Sequence, residues 1–297
     1  MENTEACAPT GDQSVERLTE LRPDDLEMLN RLVIESHWNQ VPADWYFFFD
    51  RGHVLVMRDA QSRIIASGAV LPMDADASGH RVAWISMILV LPEVRGQGLG
   101  RRVFEACLRS AQAAAYLPML DATPQGEPLY TQFGFVPLSH ITRWRREARG
   151  DRAFIAPTPQ ANQQADPQAL VALDRRVLGF GRSALINSLQ DRPTTHVVHS
   201  SQGFFLVRAG RTAHHIGPLV AEDEGHALEL LKQAVDAVKT PLLIDAPQQG
   251  PAFTAALQAA GFLPQRDFTR MAWLPPGRTL PQGQPHLIHA IAGPEFA

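Results

Sequence analysis

Residues 89 to 100, LVLPEVRGQGLG, set an apolar run against a proline, an arginine and glycines at positions 96, 98 and 100. Val103, Phe104, Cys107, Leu108 and Ala111 follow at helical spacing, so the corner joins a buried strand to a helix N-terminus. A corner of this kind suits an anion. Main-chain N–H groups converge there, the helix dipole adds its positive end, and missing β-carbons let a ligand come close. A P-loop would need Gly-x-x-x-x-Gly-Lys-Ser/Thr, which does not follow Gly96, and this argues against ATP or GTP. A dinucleotide site would place an acid about where Asp121 stands. Its glycine frame fails, however, because a start at Gly96 needs a small residue at Arg101 and a start at Gly98 needs one at Val103.

The elements around this corner can be read from periodicity. ERLTELRPDDLEMLNRLVIES gives a short strand and then an amphipathic helix opened by Pro23-Asp24-Asp25. HVLVMRD and RIIASGAVLP read as adjacent strands, and RVAWISMILVLP as a strand covered on both faces. Residues 1 to about 14 read as a disordered tail. EARGDRAFIAPTPQANQQADPQ breaks all periodicity near mid-chain, which predicts domains at 15–148 and 165–297. The second half echoes the first: LDATPQGEPLYTQFGF against IDAPQQGPAFTAALQAAGF, then GFVPLSHITR against GFLPQRDFTR without a gap. At the glycine corner the echo breaks. Glu222, Asp223 and Glu224 stand where the first half has Arg95 and Gly96, so the second half is not expected to bind the same anion.

Composition removes several function classes. The 297 residues are 45% apolar with a formal net charge of −4, long enough for two cores and without the field that gathers nucleic acid. Cys7 and Cys107 form no metal or disulfide framework. The first residues lack a signal-peptide pattern, and VAWISMILVLP is too short to span a bilayer, so a cytoplasmic protein with no membrane partner is expected. His214 and His215, with His196 and His199, suggest a metal, but adjacent strand residues point to opposite faces, and no metal is predicted. Arg143, Arg145, Arg146, Arg149 and Arg152 read as a solvated face.

VLPEVRGQGLGRR resembles the acyl-CoA signature of the GNAT N-acetyltransferases, Arg/Gln-x-x-Gly-x-Gly/Ala after a strand ending in Val-x-Pro. PLYTQFGF is similar to the family's later Leu-Tyr-x-x-x-Gly-Phe element, at Leu129, Tyr130, Gly134 and Phe135. The resemblance covers roughly residues 15 to 145, and the tandem arrangement resembles bacterial proteins with a degenerate second GNAT-like half. It implies an α/β (α+β) fold of two tandem GNAT-like domains. Each would be a mixed, mostly antiparallel sheet flanked by helices, with a splayed strand at the acetyl-CoA site of the first. Acetyl-CoA is then the implied co-substrate. Arg95, Gly96, Gln97, Gly98, Leu99, Gly100 and Arg101 would hold its pyrophosphate, mostly through main-chain N–H groups, and the backbone of Ile88, Leu89 and Val90 would pair with its pantetheine arm. Tyr130 would protonate the departing thiolate. One departure is Thr123, where many members carry an asparagine.

The implied activity moves acetyl to a small-molecule or peptide amine by direct attack, since no cysteine is placed to carry the acyl group. An alkylammonium is neutral in only about one molecule in a thousand at pH 7, so something must take its proton. The strand before the glycine corner has no carboxylate for this. Ser86 could hold a water, and His37, Asp44, His80 and Asp121 are the other candidates. ESHWNQVPADWYFFFD lies where the family places acceptor loops, which makes Trp38 and Asn39 acceptor-site candidates together with Trp84 and Ser86; Trp45, Phe47, Phe48 and Phe49 fit equally well as core anchors. The second half would wall the cleft or replace a partner subunit, in a monomer with pseudo-dimeric halves or in a homodimer. A non-catalytic acyl-CoA sensor or scaffold is the alternative function.

Overall fold

The computed structural model describes residues 14–75, 79, 81–148, 167–248 and 250–297. In the first half β1 (Val15–Arg17), β2 (His53–Arg58), β3 (Ile64–Pro72) and β4 (Val82–Val90) form an antiparallel run, and β5 (Leu117–Ala122) joins β4 in parallel. Helices α1 (Pro23–Glu35), α2 (Pro42–Arg51) and α3 (Leu99–Ala113) pack on the sheet. β3 is buried along almost its whole length under the packed helices, which fits its nearly all-apolar sequence, and its one polar side chain, Ser67, donates to the Met87 carbonyl. α3 sits close to β3 at Gly68, where a β-carbon would come within 2.8 Å of Cys107, Val103 and Ile88 side chains. The expected acceptor loop is in large part the helix α2, whose Trp45, Phe47 and Phe48 are buried, so the aromatics act as core anchors.

The second half repeats the plan. β7 (His196–Ser200), β8 (Gly203–Arg208) and β9 (His214–Ala221) are antiparallel, α7 (Glu224–Ala237) follows, and β10 (Leu242–Pro247) pairs with β9 in parallel. α5 (Pro167–Leu178) and α6 (Ser183–Gln190) precede these strands. In each half a short helix, α4 (Glu127–Gln132) or α8 (Pro251–Ala259), leads to a long strand, β6 (Phe135–Arg146) or β11 (Leu263–Trp273).

Those two long strands are exchanged. The sheet order is β1-β2-β3-β4-β5-β11-β6-β10-β9-β8-β7, with β12 (Ile288–Ala290) on β9, giving one sheet of 12 strands. β11 of the second half pairs with β5 of the first, and β6 of the first half pairs with β10 of the second. Two ion pairs fix this arrangement. Arg143 on β6 donates to both carboxylate oxygens of Asp245 on β10, at 2.7 Å each, and Arg270 on β11 does the same to Asp121 on β5, at 2.9 and 3.0 Å. In the sequence echo Arg143 matches Arg270 and Asp121 matches Asp245, so the pairs are related by the pseudo-symmetry of the halves.

This corrects the reading of the arginine group as a solvated face. Arg143 and Arg146 are buried, the first on Asp245 and the second on the carbonyls of Val235 and Val238. Arg145 pairs with Glu147, while Arg149 and Arg152 lie outside the described residues. His214 and His215 face apart as expected: His214 meets Thr240, and His215 meets Asp245 and Arg208. Among the described residues no group of three metal-ligating side chains gathers. No helix among them is long and apolar enough to cross a membrane.

Replacing Asp245 with alanine leaves Arg143 buried without its counter-charge. The expected cost is about 3–5 kcal/mol in a guanidinium chloride titration; a change below 1 kcal/mol would contradict the pinning role. A pH effect also follows. Burial, and then Arg208, push His215 down to about 4, and burial pushes His289 down to about 4 as well. Unfolded, each histidine takes a proton near pH 6.5. The unfolded chain therefore binds more protons between pH 6.5 and 4. Stability present in full above pH 6.5 is lost as the pH falls towards 4, by up to about 1.4 kcal/mol per unit for each histidine. Denaturation midpoints measured across that window, with His289→Leu as the comparison, check the slope, which the variant should make shallower.

Candidate functional site

β4 does not follow β5 to its end. Their pairing stops at Trp84 with Met119, and three residues later Met87 adopts a φ of 56°. Opposite β3, Ser86 faces Ala69 and Leu89 faces Ser67, so Met87 and Ile88 share the place of one residue and bulge the strand. β4 and β5 thereby part into a V. Ile88, Leu89 and Val90 line one wall of a cleft of about 960 Å³ in that V, and Thr123, Gly126, Leu129 and Tyr130 line another.

The glycine corner closes one end of the cleft. Gly96 and Gly98 have φ of 79° and 75°, the left-handed region, and a β-carbon on either would meet open space. Gly98 caps α3 without any side-chain bond. Among the described residues, no N–H group from Gly96 to Arg101 meets a protein acceptor. These donors at a helix start face a cleft large enough for a long ligand, a cradle that fits a diphosphate. Arg95 lines the cleft with its Nε on the Val90 carbonyl, and Arg101 turns its guanidinium to Gln132 and the Phe133 ring.

Behind the cleft lies a smaller cavity of about 70 Å³. Trp38, Ile88, Thr123, Tyr130 and Arg266 line both spaces and so mark their junction. Tyr130 packs on Phe104, with ring centroids 4.6 Å apart, and burial, followed by the neighbouring Cys107, pushes its phenol up so that it keeps its proton. The inner cavity takes its remaining lining from both halves: Gln40, Ser86 and Asp121 from the first, Phe268, Pro294 and Glu295 from the second. Ser86 Oγ and Gln40 Oε1 are buried with no hydrogen-bond partner.

The other residues singled out from sequence have different surroundings. Trp84 stays in the core, with its indole N–H on the Pro294 carbonyl and Arg270 over its ring. Asn39 spends its carboxamide on the 212–213 loop of the second half, accepting from Thr212 N and Ala213 N and donating to the Ala213 carbonyl. Asp44 is ion-paired with Arg192, Asp121 is held by Arg270, and His37 lines the outer cleft. His80 lies outside the described residues. Arg266 and Glu295 are not marked by any local sequence pattern, whereas Gln40 lies in the stretch read as an acceptor loop; Arg266 arrives on the exchanged strand β11 and Glu295 on the segment after β12.

The matching slot of the second half is filled. β9 and β10 also pair over three residues and then part, but β12 enters the gap, pairing with β9 at Val220 and Leu219 while Ile291 N donates to the Asp245 carbonyl on β10. A β-carbon on Gly217 would lie 2.0 Å from the Ile291 carbonyl oxygen, so the segment rests directly on the β9 bulge. The start of α7 is capped by the Asp223 side chain on His226 N, and Phe253 stands near the place of Tyr130, its ring tilted against His289. The segment then crosses to the first half, where Pro294 and Glu295 reach the inner cavity and Phe296 stacks on Phe48, centroids 5.2 Å apart.

Two family models, both described as an acetyltransferase (GNAT) domain, match residues 50–137 and 170–286. Among curated proteins the chain is similar to the uncharacterized N-acetyltransferase YitH of Bacillus subtilis, 23% identical over 61% of this chain and 66% of that protein, just under two thirds of its length. Among solved structures, a chain from Pyrococcus horikoshii assigned as an acetyltransferase superposes with a TM-score of 0.75 at 19% identity, covering 95% of each chain. A tandem GNAT protein from the clavulanic acid biosynthesis pathway gives 0.57 at 14% identity over 87% of this chain and 98% of that one. These likenesses are in fold.

The contrast between the two slots is measurable. In hydrogen exchange without ligand, amides 96–101 should exchange close to the unprotected rate while Ile291 is slowed by orders of magnitude. Added acetyl-CoA should slow the 96–101 amides and leave Ile291 unchanged; protection of 96–101 in the free protein would contradict the open cradle.

Proposed function

Since the chain belongs to the GNAT acetyltransferase family, with two such domains in tandem, we propose that its first half transfers acetyl from acetyl-CoA to a primary amine by direct attack. The observation that carries this reading is the row of unpartnered N–H groups from Gly96 to Arg101, facing a cleft that leads to Tyr130. Acetyl-CoA supplies the activated acyl carbon. The amides at the start of α3 bind its diphosphate, and the free edge of β4 at Ile88, Leu89 and Val90 pairs with the amides of its arm as a further strand would. Thr123 replaces the usual asparagine without closing the cleft, which it still lines.

Tyr130 is the proton donor to sulfur. It lies at the junction of the cleft and the inner cavity, and burial keeps its phenol protonated, so a proton is on hand for the sulfur as the C–S bond breaks. Cys107 does not compete as an acyl carrier. Its thiol is buried on the inner side of α3, and burial pushes its pKa up, so no thiolate is available. The second half supports this chemistry as a wall of the acceptor cavity, contributing Arg266, Phe268, Pro294 and Glu295.

Release of free thiol from acetyl-CoA, followed over a panel of primary amines, tests the reading. Tyr130→Phe should lower kcat by about 10²–10⁴-fold while acetyl-CoA binding stays unchanged. Tight acetyl-CoA binding with no thiol release on any amine would favour a sensor or scaffold.

A further inference from the structure

A transferase of this kind must remove a proton from its acceptor, and the strand before the glycine corner carries no acid. Of the carboxylates near the junction, Asp44 is paired with Arg192 at 2.7 Å, and Asp121 accepts from Arg270 through both oxygens. One acid remains. Glu295 lines the inner cavity, is buried, and has a single side-chain ion-pair contact, to Arg208 at 3.2 Å, which is longer than those of Asp44, Asp121, Asp174 and Asp245.

The same cavity holds two further groups that point to the ligand. Gln40 Oε1 can only accept, Ser86 Oγ has lone pairs to offer, and both are buried without a partner. Leaving such atoms unmet costs about 1–3 kcal/mol each, so a donor-rich visitor is favoured there. A primary ammonium carries three N–H donors. The cavity volume of about 70 Å³ leaves room for such a head.

Resting on the acetyl-transfer reading above, we propose that Glu295 is the general base of the reaction and that Gln40 and Ser86 orient the primary amine it deprotonates. Glu295 accepts one proton from the ammonium, which frees the nitrogen lone pair to form the C–N bond at the acetyl carbon. As the C–S bond breaks, Tyr130 gives its proton to sulfur. The nitrogen's surplus proton returns to the Tyr130 phenolate, and Glu295 gives its proton to solvent. Amide and free thiol result, and both side chains are restored.

The groups facing Glu295 agree with this role. Arg208, Asp44 and His215 surround it on one side, and Asp121, Arg143 and Arg266 line the cavity on the other. Burial raises its pKa; Arg208 opposes that rise and Asp44 adds to it, so the carboxylate is a better proton acceptor than one in water. His215 is held neutral, and Arg266 places positive charge at the junction, where it favours a neutral amine over an ammonium.

The test pairs primary amines with their β,β,β-trifluorinated analogues, whose nitrogen is already neutral near pH 7. Glu295→Gln should lower kcat/KM for the ordinary amines by about 100-fold or more at pH 7. It should recover as the pH rises towards 10, change little for the fluorinated amines, and leave acetyl-CoA affinity intact. Equal losses on both amine classes, or no loss on either, would overturn the proposal while leaving the acetyltransferase reading in place. Wild-type protein that releases no thiol with any amine overturns both. Should Glu295→Gln fail to fold, Glu295→Asp keeps a charge for Arg208 and must show the same split between the two amine classes, at about 10-fold or more; without that split the proposal fails.

Discussion

The reciprocal arginine–aspartate pairs across the exchanged strands are the constraint on which the rest of the molecule depends. Each is bidentate and buried, with an arginine from one half closing on an aspartate from the other. Burying such charges gains little against an apolar alternative, but an unpaired partner is costly, so a register or topology that separates them is excluded. With β11 between β5 and β6, the first half cannot complete its sheet without the second. The inner cavity is then necessarily composite, since Arg266 and Phe268 ride on the same strand as Arg270. Two further links hold the halves in register, the Asn39 carboxamide on the 212–213 loop and Trp84 on the Pro294 carbonyl.

Two slots of one design therefore lie in a single sheet with opposite contents. Both arise where a bulged strand leaves its parallel neighbour after three paired residues. In the first, glycines at positive φ leave the start of α3 bare. In the second, Asp223 satisfies the start of α7 from within, and the chain's own backbone at 288–291 supplies the hydrogen bonds of the parted strands. A filled slot also has a structural benefit, because β12 buries backbone edges that would otherwise be exposed and guides residues 294–296 towards the first half.

Much of this was legible in the residues. The strand, corner and helix around Gly98 follow from apolar periodicity and from glycine at positions that need φ above zero, both local properties. Tyr130 follows from the resemblance of PLYTQFGF to the family's Leu-Tyr-x-x-x-Gly-Phe element, and the broken echo falls on Asp223, whose side chain caps the start of α7. The strand exchange was not legible, because β6 and β11 have the same alternation whichever neighbour they pair with. Its trace was present in the repeated Thr-Arg and Asp-Ala pairs, which mark the two ends of each ion pair. The same oversight made Arg143 look solvated: an arginine near a linker is normally exposed, and its partner stands 102 positions away. α2 was taken for a loop because Pro42 and the aromatic cluster hide a helical stripe whose buried face is completed by Phe296.

The polar interior divides into a satisfied part and an unsatisfied one, and the division follows the ligand spaces. Between the halves Arg143, Arg192 and Arg270 each hold an acid at 2.9 Å or less, and within the second half Arg182 holds Asp174 while His215 is held neutral between Arg208 and Asp245. Along the cleft and its inner cavity pairing is incomplete, although Asp121 and Arg143 keep their ion pairs there. The amides from Gly96 to Arg101, Ser86 Oγ and Gln40 Oε1 have no protein partner there. A fold governed by stability alone would close those gaps, as the second half has done with Asp223 and residues 288–291. Unmet donors at the outer end and unmet acceptors at the inner end, with a protonated phenol between them, prepare the first half for an anionic carrier on one side and a donor-bearing acceptor on the other.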